Sequence, residues 1–163
     1  MNIRPAETTD IDALRELRNY YIANSYATFD EEPLARETVE SWFASFSSEG
    51  PYRLLVAHEN DQLSGYCSSQ VYRPHPAFKR TIETSISVAA GAGRGGIGSA
   101  LYARLFEALR GQDLHRAVVG IALPNEASVR LHLKFGFKAV GMFSEYAQKN
   151  GHLISSQWME RAL

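Results

Sequence analysis

The chain contains 163 residues, of which 45% are hydrophobic, and this length allows one domain to bury its own core. We therefore expect a single domain over residues 1–163. A formal net charge of −1 gives no general electrostatic attraction to nucleic acid or to an anionic membrane, so neither is an expected partner. The one cysteine, Cys67, excludes an internal disulfide framework and indicates a reducing compartment.

The beginning of the chain carries no targeting pattern. Its first 30 residues are polar and charged, which is not typical of a signal peptide. No run approaches the roughly 18 apolar residues that a membrane-spanning helix needs. From these features we expect a cytoplasmic protein.

Before residue 80, hydrophobic periodicity predicts one strand, two helices and two further strands. The first strand covers 2–6. The first helix starts at a capping box of Thr9 and Asp12, and the second covers 37–46. The two further strands cover 52–58 and 63–72. Asn60-Asp61 predicts a hairpin turn between the last two strands. Pro74 and Pro76 predict that the connection over 73–80 has no regular structure.

The next stretch, residues 82–109, changes from strand to helix across a glycine-rich junction. Alternating apolar residues over 82–88 predict a strand, and apolar residues that recur every three or four positions from Ile97 predict a helix. Between them, five glycines surround Arg94: Gly91, Gly93, Gly95, Gly96 and Gly98. Glycines at such a junction aim backbone N–H groups outward from a helix N-terminus, so the sequence predicts an anion site, most often one for phosphate.

Several known glycine-loop motifs could account for this sequence. Gly91, Gly93 and Gly96 fit the dinucleotide pattern G-x-G-x-x-G, but about 80 residues precede it and no acidic residue closes the next strand. A Walker loop fails because Gly98-Ser99 lacks the lysine between them. A glycine-rich turn without any ligand remains the plain structural alternative.

A further kind of loop matches better. Residues 93–98, read Gly-Arg-Gly-Gly-Ile-Gly, resemble the pyrophosphate loop [QR]-x-x-G-x-[GA] of the GNAT family of N-acetyltransferases. Gly93 replaces the expected Gln or Arg, and Arg94 stands one place later. The resemblance implies acetyl-CoA as co-substrate, with its pyrophosphate held by the backbone of this loop.

The second half of the chain completes the fold prediction. We expect a strand over 116–122, a helix over 125–135 with Val129 and Leu133 facing inward and Gly136 as terminator, and two strands around the turn 149–151. The order β-α-α-β-β-β-α-β-α-β-β is that of a GNAT-like α/β (α+β) fold. It implies a mixed, mostly antiparallel central sheet of about seven strands, flanked by about four helices.

Two side chains are candidates for catalysis of acetyl transfer, which requires a protonated amine to lose a proton before it attacks. Glu83 lies on the polar face of the strand that leads into the loop and is the candidate base; an exposed strand charge is the alternative. His132 lies four residues before Gly136-Phe137, where many GNAT members carry a tyrosine. The chain resembles the phosphinothricin and methionine sulfoximine acetyltransferase branch, which implies that His132 acts as acid or proton relay.

The same resemblance implies further site residues. Those expected to hold acetyl-CoA are Ile86, Ser87, Val88, Gly93, Arg94, Gly95, Gly96, Ile97, Gly98, Ser99, Asn125 and Ser128. Those expected to hold a small amine with a carboxylate are Phe29, Arg73, His75 and Phe78. His75 and Phe78 replace the arginine and tyrosine that are usual in the branch, so the match is better for the acetyl donor than for the acceptor.

Other functions and partners have less support in the sequence. The five histidines have no mutual ligand spacing, so no metal is expected. Cys67 has no evident base next to it, so a covalent acyl-cysteine route is not expected. The resemblance implies a homodimer. The alternatives are a non-catalytic acyl-CoA sensor and a protein N-terminal acetyltransferase, which consumption of acetyl-CoA with a panel of amino-acid analogues would distinguish.

Overall fold

A computed structural model describes residues 1–92 and 95–163, so Gly93 and Arg94 lie outside the described residues. The strands are β1 (Asn2–Pro5), β2 (Arg53–Glu59), β3 (Gln62–Val71), β4 (Thr81–Val88), β5 (Arg116–Ala122), β6 (Lys138–Lys149) and β7 (His152–Ala162). The α-helices are α1 (Ile11–Asn24), α2 (Arg36–Phe43), α3 (Ile97–Ala108) and α4 (Glu126–Lys134). The expected order of elements is confirmed. None of the helices within the described residues has the length and apolar character needed to cross a bilayer.

The strands form a seven-stranded sheet in the order β1-β2-β3-β4-β5-β7-β6. Five neighbouring pairs are antiparallel, and β4 with β5 is parallel. The expectation of a mixed, mostly antiparallel sheet is therefore confirmed. Parallel neighbours need a crossover, and α3 supplies it between β4 and β5.

Each face of the sheet is covered by a different pair of helices. On one face, α3 and α4 pack over a core that includes Ile82, Leu101, Tyr102 and Phe137. On the other face, α1 and α2 cover a smaller cluster around Val39. Because successive side chains of a strand point to opposite faces, β4 contributes its apolar residues to the first core and presents Glu83, Ser85 and Ser87 on the α1 side.

Both hairpin turns form where the sequence predicts them. Asn60 and Asp61 have φ values of 49° and 63°, and Asn150 and Gly151 have values of 48° and 79°. Two successive positive φ values match the twist of the flanking antiparallel strands. Gly136 ends α4 with φ 81°, which confirms its predicted role as terminator.

Three local predictions differ from the structure. The Thr9 capping box is wrong: a 3-10 turn over Thr8–Asp10 precedes α1, and the buried Asp10 carboxylate accepts the Glu7 N–H at 2.8 Å. The connection over 73–80 contains a 3-10 turn, Pro76–Phe78, whose proline occupies a position where no N–H is needed. Leu133 is 54% exposed, because α4 turns the adjacent His132 toward α3 instead.

The parallel pair β4 and β5 is joined over a short distance only. Thr81, Ile82 and Glu83 pair with Arg116, Ala117 and Val118, and neither strand ends there. Beyond Glu83, β4 stays paired with β3 while β5 stays paired with β7. In the part of the chain that the structure describes, no strand fills the space between them, so a cleft opens through the sheet after Glu83.

Candidate active site

Three cavities meet at Glu83. The cleft, of about 200 Å³, lies between the diverging halves of β4 and β5 and is closed by α4. The α1 cavity, of about 330 Å³, lies on the other face under α1 and the segment that follows it. The β6 cavity, of about 520 Å³, lies between β7, β6 and the end of β3. Glu83 lines all three, so this residue is the point that they share.

Glu83 has the properties that a general base requires. It is half-buried, and this burial raises the pKa of its carboxyl group above the usual range. Within residues 1–92 and 95–163 its carboxylate has no ion-pair partner to lower the pKa again. A carboxylate with a raised pKa holds a proton more firmly and is thus a stronger base once it is ionised.

His132 lines the cleft but is held by hydrogen bonds on both ring nitrogens. Its Nδ1 lies 2.7 Å from the carbonyl oxygen of Ser128, which can only accept, so Nδ1 carries the proton. Its Nε2 then accepts the Tyr102 hydroxyl at 2.7 Å. The Tyr102 oxygen also lies 3.3 Å from Oγ1 of Thr84, which completes a chain from the imidazole to β4.

Burial decides the charge of this histidine. The side chain is 1% exposed, and burial lowers the pKa of the imidazole, although its bond to the Ser128 carbonyl acts in the opposite direction. Burial raises the pKa of the Tyr102 phenol as well. The pair is therefore neutral at neutral pH, with the proton of Tyr102 directed at His132.

The beginning of α4 is arranged by Asn125 and Ser128. The Asn125 side-chain oxygen accepts the Ser128 N–H at 3.1 Å, so Asn125 is the N-cap of α4. Both residues line the cleft. The Asn125 amide NH₂ and the Ser128 hydroxyl are placed where they can bind a ligand that lies between β4 and β5.

The described part of the glycine loop ends at the N-terminus of α3. Gly96 caps the helix with φ 75°, a conformation that favours glycine. A Cβ on Gly98 would lie 3.2 Å from Leu131, so the missing side chain lets α4 approach α3 closely. Ile97 is fully buried, and its side chain anchors the helix start while its N–H remains at the helix N-terminus.

Lys134 adds a positive charge at this helix end, and it was not among the predicted residues. Its Nζ donates to Oγ of Ser99 at 3.0 Å, in the first turn of α3. The positive end of a helix and a nearby ammonium group both stabilise an anion. The predicted loop arginine, Arg94, lies outside the described residues.

The candidate acceptor residues lie in different places. Phe29 lines the α1 cavity with Glu83, and its ring contacts Tyr146 at 6.1 Å between centroids. Arg73 lines the β6 cavity with Glu83, and its guanidinium lies 5.1 Å from the Tyr72 ring centroid.

His75 and Phe78 lie behind Arg73 instead of facing Glu83. Within the described residues, neither lines one of the three cavities at Glu83. The Phe78 ring packs on Tyr72 at 5.5 Å between centroids, and His75 accepts the Ala77 N–H at 3.1 Å through Nδ1. Their predicted contact with an acceptor stays a prediction.

Several residues of the site are not recognisable from the sequence. Arg18 supplies the guanidinium that lines the α1 cavity, and its side chain lies 4.2 Å over the Trp42 ring. Trp158 lines both the α1 cavity and the β6 cavity, and its indole occupies the space that a Cβ on Gly120 would need, 2.9 Å away. The four residues come from α1, α2, β5 and β7, which are distant in the sequence and come together only in the folded protein.

Cys67 is buried beside the carbonyl of Leu101, and burial raises the pKa of its thiol, which makes it a poor nucleophile. Across the described residues, no group of three or more His, Cys, Asp or Glu side chains could hold a metal ion.

The site combines a cleft between parallel strands, a carboxylate at its base and a glycine-capped helix. The strand edge of β4 that faces the cleft offers backbone partners to an extended amide chain, and the α3 N-terminus offers an anion site. The family model of the acetyltransferase (GNAT) domain matches residues 3–158, and the chain belongs to this family.

Curated relatives agree with this assignment. The chain is 46% identical over 165 residues to a phosphinothricin N-acetyltransferase of Streptomyces coelicolor. This alignment covers 100% of the chain and 96% of the relative. It is 31% identical over 160 residues to an L-methionine sulfoximine/L-methionine sulfone acetyltransferase of Pseudomonas paraeruginosa, with 98% and 92% covered. The chain is an N-acetyltransferase.

Solved structures share the whole fold. The crystal structure of a ribosomal-protein-alanine N-acetyltransferase from Brucella melitensis has a TM-score of 0.94 and 32% identity, with 100% of both chains covered. The structure of yncA from Salmonella typhimurium with its cofactor acetyl-CoA has a TM-score of 0.94 and 29% identity, with 100% and 94% covered. The GNAT architecture predicted from the sequence is confirmed.

The glycine loop yields a direct test of cofactor binding. Gly95 is the best position, because its Cβ would lie 3.9 Å or more from other atoms, whereas Gly96 has a positive φ and Gly98 is in close contact with Leu131. We expect Gly95→Glu to weaken acetyl-CoA binding about 100-fold, since a like charge beside a phosphate costs several kcal/mol. Calorimetric titration measures this change. Gly95→Ala is the control and should bind within about twofold of wild type; equal affinity of both variants would reject the loop as the phosphate site.

Proposed function

We propose that the chain transfers an acetyl group from acetyl-CoA to the α-amine of a small amino acid, of the methionine sulfoximine or phosphinothricin type. The observation that carries the proposal is the position of Glu83 at the point where β4 and β5 diverge, with the cleft on one side and the α1 and β6 cavities on the other. The names of the two curated relatives support this class of acceptor.

The cleft fits the donor. A pantetheine arm would run along β4 at Ile86, Ser87 and Val88, opposite Asn125 and Ser128, and its pyrophosphate would lie at the N-terminus of α3. There Gly95, Gly96, Ile97, Gly98 and Ser99, with the loop residues Gly93 and Arg94, would supply N–H groups, and Lys134 would add charge. Acetyl-CoA would supply the thioester carbonyl that the amine attacks, and coenzyme A would leave as a thiol.

Glu83 takes the proton that the ammonium group must lose, directly or through one water, and so produces the neutral amine that attacks. After the attack the nitrogen is cationic and must lose a second proton, while the C–S bond breaks and the departing sulfur must gain one. We assign this transfer to the chain that runs from Thr84 through Tyr102 to the lone pair of His132 Nε2, which takes up the proton on the cleft side and returns it to the sulfur. His132 acts here through Tyr102, since both of its nitrogens are occupied.

The acceptor would lie on the side of the sheet opposite α3. Its carboxylate would bind Arg73, because a guanidinium pairs well with a planar oxyanion. Phe29 would contact the tail, while His75 and Phe78 would support Arg73 from behind. The protein works as a cytoplasmic enzyme on small molecules, without nucleic acid or membrane as partner, and as one domain.

We further propose that it acts as a homodimer that pairs through β6. This strand is at the edge of the sheet and exposes Val140, Met142 and Phe143 by 63%, 59% and 57%. An exposed apolar edge strand favours association with another sheet edge. Val140 and Phe143 also line the β6 cavity, so a second copy docked here would cover that side of the acceptor site.

The catalytic role of Glu83 predicts both a rate and a pH effect. We expect Glu83→Gln to lower turnover by about 10² to 10⁴ with little change in acetyl-CoA affinity. Because burial raises the pKa of Glu83, kcat/KM of the wild type, corrected for amine ionisation, should fall as the pH drops through a value above about 4.3, the usual pKa of Glu. Glu83→Gln should lack this limb. Glu49→Gln changes an exposed carboxylate outside all three cavities and should behave as wild type; a fully active Glu83→Gln enzyme would leave Glu83 without a role.

A panel of acceptors tests the proposed substrate class. We expect acetyl-CoA consumption with methionine sulfoximine, methionine sulfone and phosphinothricin. Arg73→Gln should lower kcat/KM for the first two by about 10- to 100-fold, the range for hydrogen bonds to charged groups, and should hardly affect their carboxamides. Arg110→Gln, at an exposed position outside these cavities, is the control. Faster turnover of an arylamine, or of the alanine N-terminus of a peptide, would contradict an amino-acid acceptor.

The oligomer is tested separately by light scattering coupled to size-exclusion chromatography. Wild type should have the mass of a dimer, and Val140→Glu that of a monomer, because a buried unpaired charge opposes association. Leu133→Glu places the same charge on an exposed leucine of α4 and should leave the dimer intact. A monomeric wild type would remove the dimer from the proposal without affecting the chemistry.

A further inference from the structure

Lys149 is a lysine whose ammonium group is buried. It is the last residue of β6, and its side chain is 1% exposed. Its Nζ donates to three backbone carbonyl oxygens: Ile22 at 2.8 Å, Ser25 at 2.8 Å and Thr28 at 2.9 Å. An ammonium group has three N–H donors, so its hydrogen bonding is complete.

All three carbonyl groups belong to the end of α1 or to the segment that follows it. Ile22 lies in the last turn of α1, where a positive charge is stabilised by the helix dipole. Ser25 and Thr28 belong to the segment 25–32, which we call the α1–α2 loop. Most of its residues are exposed, so few apolar contacts hold it in place. Lys149 therefore joins the end of α1 and this loop to the sheet through three hydrogen bonds.

The same hairpin touches the loop at other points. The Asn150 N–H donates to Oε1 of Glu31 at 2.6 Å, and the rings of Tyr26 and His152 lie 5.8 Å apart. Each of these contacts joins the β6–β7 turn to the α1–α2 loop. The turn and the loop therefore form one bonded unit, with Lys149 at its centre.

The loop is also a wall of the α1 cavity. Thr28 and Phe29 line this cavity opposite Glu83, whereas Lys149 itself lines none of the three cavities. A change at Lys149 can thus reach the acceptor through the loop without touching the acceptor or the acetyl donor.

We propose that Lys149 is a positioning residue that fixes the α1–α2 loop over Glu83 and so sets the affinity for the acceptor. This inference rests on the proposed function, because it assigns the α1 cavity to the acceptor. Without the three hydrogen bonds, the carbonyl groups of residues 22, 25 and 28 lose a buried donor, and Phe29 no longer has a fixed place beside Glu83.

Steady-state kinetics with methionine sulfoximine and hydrogen exchange test the proposal together. Lys149→Met keeps the length of the side chain but removes all three donors. We expect a rise in the acceptor KM of at least 10-fold, with the acetyl-CoA dissociation constant within about twofold of wild type. Amides 23–32 should exchange faster, while those of β3 and β4 should keep their protection. Lys138→Met, an exposed lysine at the other end of the same strand, is the matched control and should change nothing.

Two further variants keep the test decisive. Lys149→Arg retains the charge, but a planar guanidinium does not reproduce three divergent N–H groups, so it should restore only part of the acceptor affinity. Glu31→Ala removes an exposed contact of the same unit without emptying a buried site, and should raise the acceptor KM about twofold to fivefold even if Lys149→Met does not fold.

The outcomes separate this inference from the proposed function. An unchanged acceptor KM in both Lys149→Met and Glu31→Ala, despite faster exchange of the loop, would overturn the positioning role. An equal loss of acetyl-CoA affinity would also overturn it, since that indicates a general loss of structure. If the wild type acetylates no amino acid, the proposed function fails, while the exchange experiment still reports whether Lys149 holds the loop.

Discussion

The parallel contact between β4 and β5 is the constraint on which the site depends. It covers only Thr81 to Glu83; beyond Glu83, β4 is paired only with β3, and β5 only with β7. Adjacent strands of a sheet are rotated relative to one another, so two strands that are no longer bonded can diverge. Glu83, the proposed base, is located at the last bonded pair and lines the cavities that begin there.

The separation also divides the chemistry between the two faces of the sheet. Polar groups of α4 and the N-terminus of α3 face the cleft from one side, and α1 with its loop covers the other. On the proposed function, a donor and an acceptor enter from opposite faces and meet where the sheet is open. Their proximity would then be a result of strand pairing.

Much of this arrangement could be predicted from the sequence, because local patterns determine it. Alternation over residues 82–88, the glycine cluster and the two hairpin dipeptides gave the right elements in the right order. The packing of distant residues could not be predicted. A lysine is rarely buried, so nothing near Lys149 in the sequence indicates its three carbonyl partners, which lie more than 120 positions away. Similarly, the apolar periodicity of α4 predicts that Leu133 is buried, but the buried residue is His132, which forms a hydrogen bond with Tyr102 on α3.

The position of Trp158 against Gly120 has a consequence for the breadth of acceptors. The indole ring is the partition between the α1 cavity and the β6 cavity, and both open at Glu83. On the proposed function, an amino acid with its amine at Glu83 would straddle this ring, with its carboxylate toward Arg73 and its tail toward Phe29. The ring would then limit the length and branching of the molecules that fit, whatever the strength of the base.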